Sequence, residues 1–234
     1  MSEQTDARMG AVNAPKRNLM GQVLGRKGRD TRERILAATT RLLSSDDEAI
    51  SMSAVAREAS LGMPTLYLYF TDLTELLLAV LEPIMESAQA AYVDLLKTRW
   101  QDENLEPHCL AFVEAYYEFW RQHARILHLR NSMADANDTR MRRHRVAGTA
   151  PVRDLLLKQM EAQDADKDSQ VYASATVAIT GVERIITVAT DVVYMRTMGE
   201  FSEAHAQSLV SAGARMLFLI VQDGRAQARL TKGG

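Results

Sequence analysis

Thr65, Tyr67 and Tyr69 are the residues whose type and spacing most clearly point to chemistry at a partner's surface. Hydroxyl groups are common hydrogen-bonding partners of nucleic-acid phosphates. The three sit on a stretch that opens with Pro64, which suits the first turn of a helix because its missing N–H has no partner there anyway. The free N–H groups of a helix start also favour an anion. Leu66 and Phe70, four residues apart, point the opposite way, toward a core with Ile35, Leu42 and Val55. Thr65, Tyr67, Leu68 and Tyr69 are thereby left on the outer surface or its rim.

Enzymatic constellations find no foothold. His123 and His128 are five residues apart, not the four that would put two metal ligands on one helix face, and no Glu follows the first. Gly21, Gly25 and Gly28 make no dinucleotide fingerprint, because no strand precedes them. Lys27 is followed by Gly rather than Ser or Thr, which excludes a phosphate-binding P-loop. Cys109, the one cysteine, has no sequence context for a nucleophile and excludes both a disulfide framework and a cysteine-rich zinc site. The expectation is therefore no enzyme, no cofactor and no metal.

The elements that must position the hydroxyls are helices. With 12 Gly and 5 Pro in 234 residues, little of the chain is punctuated loop, and no segment alternates as a strand would. Ile35, Ala38, Thr39, Leu42 and Leu43 make an apolar stripe at helical spacing over 31–45, ended by Asp46, Asp47 and Glu48. Ser51 caps a short helix over 51–60 whose inner face is Met52, Val55, Ala56 and Ala59. Leu61-Gly62-Met63 is a turn, and the next helix runs from Pro64 to about Phe70. Two short helices joined by a tight turn form a helix-turn-helix. Further helices are expected over 73–100, 105–121, 124–134, 138–164 (kinked at Pro151), 168–197 and 202–225, giving an all-α fold of about nine helices.

Charge is distributed unevenly. Residues 16–70 hold nine basic and six acidic side chains, so this end is +3 and the rest is −5, for a total of −2. A basic end on an acidic body suits a polyanionic partner. Residues 1–28 read as a flexible basic arm, and the stretch Gly25 to Arg29 could enter an adjacent minor groove. The expected DNA-contacting set is Arg26, Lys27, Arg29, Thr31, Arg32, Ser51, Gly62, Met63, Pro64, Thr65, Tyr67, Leu68 and Tyr69. The division is arm 1–28, helix-turn-helix domain 29–75, and a C-terminal domain 76–234.

Three strings carry a more specific likeness: Thr31-Arg-Glu-Arg-Ile-Leu-Ala-Ala, Val55-Ala-Arg-Glu-Ala and Thr65-Leu-Tyr-Leu-Tyr-Phe. Over roughly residues 30–82 the chain resembles the N-terminal domain of TetR-family regulators. The resemblance implies an all-helical homodimer that represses transcription and leaves a palindromic operator when a ligand binds. Some positions depart from the family pattern. Ser60 replaces a turn Gly, Pro64 replaces a Gly before the Thr, and Leu73 stands where a Lys commonly begins the next helix.

The C-terminal part carries two broader signals. Phe112, Tyr116, Trp120 and Leu127 recur near helical spacing, as an aromatic pocket wall would. With Leu156 and Met160, and with His128, Asn131 and Glu183 as polar groups to orient a ligand, they form the expected effector site. Arg184 is a further polar candidate. The last two helices are apolar on more than one face and so must be buried on several sides. Val177, Ile185, Val188, Val192, Val210, Ala214 and Leu217 are expected at a homodimer interface. The apolar stretch 171–195 contains Glu183, Arg184 and Asp191, which argues for a buried helix rather than a membrane span. Together these readings predict a cytoplasmic, one-component regulator that binds double-stranded DNA and a small apolar or amphipathic effector. The alternative is a constitutive DNA binder whose C-terminal domain only dimerises.

Overall fold

A computed structural model describes residues 25–44, 49–199 and 202–232. Among these residues the fold is all-α, with ten α-helices and two 3₁₀ turns rather than about nine helices. The chain divides between Val80 and Leu81 into two compact units.

The first unit holds α1 (Arg26–Leu43), α2 (Met52–Glu58), α3 (Met63–Leu66) and the start of α4 (Leu73–Ala91). Its core is Ile35, Val55, Ala56, Leu66, Phe70 and Leu76, with Leu42, Met52, Leu61, Met63 and Tyr69 packed against it. Burying each large aliphatic or aromatic chain contributes roughly 1.5–3 kcal/mol, so this small core dominates the unit's stability. Two polar contacts brace it. Arg41 pairs with Glu58 at 2.7 Å, tying α1 to α2, and the Arg32 guanidinium lies 5.3 Å from the centre of the Phe70 ring.

α1 begins at Arg26, five residues before the Thr31 start read from the apolar stripe. Gly25 accepts from the Arg29 N–H at 3.1 Å, and the Thr31 hydroxyl donates to the Lys27 carbonyl at 2.9 Å. Arg and Lys are good helix formers, so the helix extends through polar residues that carry no apolar period. Residues 25–29 are therefore a helix start, not part of a flexible arm, and the remainder of the arm, 1–24, lies outside the described residues. So does the acidic run 46–48 expected to end α1, which closes at Leu43.

The second unit holds the rest of α4, α5 (Leu105–Gln122), α6 (Ala124–Asp135), α7 (Thr139–Gln159), α8 (Gln170–Thr190), α9 (Val192–Thr197) and α10 (Glu203–Lys232). The segment 73–100 is not one helix: α4 ends at Ala91 and a 3₁₀ turn follows at Val93–Leu96. The segment 168–197 also divides. Asp191 leaves helical geometry, with φ −86° and ψ 90°, and its carboxylate accepts from the Tyr194 N–H, capping α9. An Asp with a free amide three residues on favours that break.

Small residues set how α8 and α10 meet. A Cβ on Gly181 would stand 2.8 Å from Met216 Cε, and one on Gly213 would stand 3.3 Å from Ile185 Cδ1. This close approach seals Val210, Ala214 and Leu217 inside the unit. Those three are core residues and cannot reach a second chain, which corrects the interface expected from their apolar character. Both helices are long and apolar enough to cross a membrane by length and composition, yet they pack against each other and against α5.

The 3₁₀ region is stapled by buried polar groups. Arg225 donates to the carbonyls of Gln159 at 2.7 Å and Trp100 at 2.8 Å and pairs with Asp102. The Gln159 amide donates to the Leu96 and Thr98 carbonyls, both at 2.9 Å, while its oxygen accepts from the Trp100 N–H. These bonds satisfy backbone groups that no regular element pairs. Cys109 is fully buried beside them, and burial pushes its thiol up to about 12. The thiolate is the reactive form. Cys109 is therefore expected to resist a thiol reagent such as dithionitrobenzoate in the native state and to react fully in denaturant; rapid native labelling would contradict its burial.

Candidate functional site

The connection from α2 to α3 has a defined geometry. Ser51 caps α2, its hydroxyl accepting from the Ala54 N–H at 3.2 Å. At the other end, Leu61 N–H donates to the Ala56 carbonyl at 2.8 Å and Ser60 N–H to the Arg57 carbonyl at 3.0 Å. This pair of bonds is a Schellman closure, which requires a left-handed residue at its pivot. Ser60 occupies that pivot with φ +51°, where a side chain is disfavoured. Ser60→Gly is expected to raise stability by about 1 kcal/mol in a urea titration; a loss of stability would show that the Ser60 side chain makes a needed contact.

Gly62 then caps α3, and Pro64 sits in its first turn. The α-helix itself is one turn long. Leu68 and Tyr69 continue it with three-residue hydrogen bonds to Thr65 and Leu66, and Phe70 N–H returns to Leu66. The segment expected to be helical from Pro64 to Phe70 is thus half α-helix and half 3₁₀-like turn. Leu66 and Phe70 are buried, as their spacing implies. Tyr67 is 47% exposed and Leu68 36% exposed, while Thr65 and Tyr69 are half-buried and Gly62 and Pro64 are exposed. Thr71 and Asp72 fix the next start: Asp72 accepts from the Glu75 N–H at 2.9 Å, and Glu75 reaches back to the Thr71 N–H.

Arg26, Lys27 and Arg29 are all exposed on the first turn of α1. Arg32 differs from the expected contact set, because its guanidinium stacks on Phe70 and braces the core. The Thr31 hydroxyl proton is committed to its own helix, and its N–H lies past the free first turn of α1, so Thr31 has no free donor for a phosphate. Ser51 and Met63 are half-buried at the two helix starts.

In the second unit the aromatic stripe is solid core. Phe112, Tyr116, Trp120, Leu127, Leu156 and Met160 are buried, and none lines any cavity described below. Tyr92 fills the space an effector was expected to take, with ring centres 4.4 Å from Tyr116, 5.2 Å from Phe119 and 6.2 Å from Phe112. Aromatic residues at every fourth position do share one face of α5, but that face is closed by packing.

One cavity of about 500 Å³ lies beside residues 161–171 and Gln227, and another, between α6, α7 and α8, has a volume of about 510 Å³. Three residues of the expected site line it: His128, Asn131 and Glu183. The others are Ser132, Asp135, Arg145, Val146, Thr149, Thr180, Arg184, Thr187 and Asp191. These were legible only as a polar stripe on an otherwise apolar helix, since Thr180, Glu183 or Arg184, Thr187 and Asp191 recur every three or four residues.

Behind the wall, Arg130 donates to Glu183 at 3.2 Å and to Asn131 at 3.0 Å. Both charged side chains are largely out of water. Burial raises the Glu183 carboxyl above its usual range, opposed by the Arg130 charge. Burial also lowers the pKa of His128, whose ring nitrogen meets the Thr190 hydroxyl at 3.1 Å, so that imidazole is neutral near pH 7. A smaller cavity of about 250 Å³ lies between α4, Tyr92, Val93 and α7. Among the described residues no cluster of His, Cys, Asp or Glu could hold a metal.

The basic run 140–145 behaves as a solvated, partly bridged face. Arg145 pairs with Asp135 at 2.9 Å, and Arg142 donates to Asn137. Of the expected interface residues, Val177 is 59% and Val192 45% exposed, while Ile185 and Val188 are half-buried.

Comparison with known proteins finds a likeness in the first unit and in the fold. Residues 35–80 match the model of bacterial regulatory proteins of the tetR family, a span that contains α2, the Ser60 pivot, α3 and the start of α4. The fold is similar to that of a TetR family transcription regulator from Marinobacter aquaeolei VT8. The similarity has a TM-score of 0.51 and 18% identity, over 84% of this chain and 98% of that one. No curated protein matches the chain.

Proposed function

We propose that the chain is a DNA-binding transcription regulator of the TetR type, with a helix-turn-helix at its N-terminal end, and that it is a homodimeric repressor released from a palindromic operator by a small molecule; the match of residues 35–80 to the tetR-family model and the similar fold support the reading. The observation that carries the reading is the α3 turn. Two aromatic hydroxyls and a threonine sit on a short, exposed segment whose opposite face is locked into the core by Leu66 and Phe70. A rigid reading head of this size enters a major groove, and its few residues specify a site only when two copies read two half-sites. Arg26, Lys27 and Arg29 supply charge for phosphates.

The remaining face of α8 and α10 suits the second copy. Val177 on α8 and Leu219 on α10 are large, apolar and exposed, unlike Val210, Ala214 and Leu217. The effector site is the cavity between α6, α7 and α8, which falls within the roughly 300–1,000 Å³ typical of small-molecule sites. A domain that only dimerised would not need such a cavity, which disfavours constitutive binding. The lining is more polar than an apolar effector would want, so the amphipathic end of the expected range fits better.

The test is operator affinity, by fluorescence anisotropy, with and without compounds shown by calorimetry to bind the protein. A bound compound that weakens operator binding at least tenfold supports the reading. Compounds that bind the cavity and leave operator affinity unchanged overturn the effector half of it.

A further inference from the structure

The charges of the α6–α7–α8 cavity do not all have partners within the chain. Asp135 and Arg145 neutralise each other across α6 and α7 at 2.9 Å. Glu183 is neutralised by Arg130 from behind. His128 is kept uncharged by burial. Two opposite charges remain on the lining. Arg184 has no carboxylate partner among the described residues. Asp191 accepts from the Tyr194 N–H and has no cationic partner among them. Both line the cavity together with His128.

Two of the four lining hydroxyls add direction. Thr187 donates to the Glu183 carbonyl at 2.7 Å and Thr149 to the Val146 carbonyl at 3.2 Å. Their protons are committed to their own helices, so toward the cavity they present only lone pairs. Lone pairs receive an ammonium or amide N–H and give nothing to a carboxylate.

We propose that the cavity takes a small zwitterion, its ammonium met by Asp191 and the threonine oxygens and its carboxylate by Arg184; this rests on the effector reading above. Arg184 is exposed and Asp191 half-buried; a purely apolar molecule seated against them would displace part of their water and return no partner, which is unfavourable for a charge. An ampholyte replaces that water at both ends. A molecule with one charge satisfies one end and leaves the other bare, so selectivity arises from the rejection as much as from the fit.

The experiment uses the full chain and calorimetry without DNA. The probes are L-glutamine, L-leucine and L-phenylalanine, each also as the N-acetyl derivative, which lacks the cation, and as the amide, which lacks the anion. Decanol and 2-naphthol are the apolar probes. At least one free amino acid is expected to bind at least tenfold more tightly than either of its derivatives. Arg184→Gln and Asp191→Asn are each expected to weaken that binding roughly ten- to hundredfold, the contribution of a hydrogen bond to a charged group. Asn is as good a helix cap as Asp, so α9 persists, and unchanged circular dichroism verifies it.

Binding only by the apolar probes, binding insensitive to both substitutions, or no binding by any free amino acid overturns the proposal. Operator affinity is measured separately. An amino acid that binds through Arg184 and Asp191 without changing operator affinity would sink the effector reading and leave the ligand class standing. Release by an apolar probe in both variants would do the reverse.

Discussion

Tyr67→Ala is expected to weaken operator binding by roughly ten- to hundredfold per half-site, because a hydrogen bond to a charged phosphate contributes about 1.5–3 kcal/mol. In a dimer the loss occurs at both half-sites, so the measured effect on the complex approaches the square of that factor. The side chain is 47% exposed, and the turn around it is held by Leu66, Phe70 and the Met63–Tyr67 backbone bond. Thermal unfolding should therefore be unchanged. Tyr67→Phe separates the hydroxyl from the ring and should show most of the loss. Tyr69 makes a useful contrast: it packs against the core, so its truncation should lower both stability and DNA affinity. Tyr67→Ala protein that binds with its affinity and salt dependence intact would remove Tyr67 from the interface.

Arg130→Met is expected to be the most damaging single change in the second unit, costing about 3–5 kcal/mol. The Arg130 side chain is almost fully buried and lies 5.6 Å from the centre of the Trp120 ring. Methionine fills much of the same volume, so the loss comes from Glu183, left charged in a wall that already raises its pKa. At roughly 2–4 °C per kcal/mol for a domain of this size, the melting temperature should fall by about 6–20 °C. The double change Arg130→Met with Glu183→Leu should recover most of it, since a well-packed apolar pair can replace a buried ion pair at little cost. A single variant melting within a degree of the parent would show that the pair is not desolvated as described.

The helix-turn-helix was legible because each of its parts leaves a local mark. Ile35, Val55, Leu66 and Phe70 keep helical spacing, Ser51 and Gly62 mark helix starts, and Pro64 falls where a proline does no harm. What failed were inferences about which face meets what. Arg26, Lys27 and Arg29 belong to α1, but a polar first turn has no apolar period to reveal it. Phe112, Tyr116 and Trp120 do share one face of α5; periodicity cannot tell a packed face from the wall of a cavity, and Tyr92, distant along the chain, closes it. Val210, Ala214 and Leu217 looked like an interface because α10 is apolar around much of its circumference. Gly181 and Gly213, which let α8 and α10 touch, decide that those residues face inward. The cavity's polar stripe on α8 was visible in the sequence, but it was obscured by the stronger apolar signal around it.

On this reading the exposed side of the α3 turn contacts DNA as one half of a symmetric pair. The most direct measurement is unbiased selection of duplexes bound by the full chain, followed by affinity for the selected site across a range of salt concentrations. An inverted repeat is expected, with affinity that falls steeply as salt rises and collapses for Tyr67→Ala. Failure to enrich any sequence, together with no salt-dependent binding to any duplex, would contradict it.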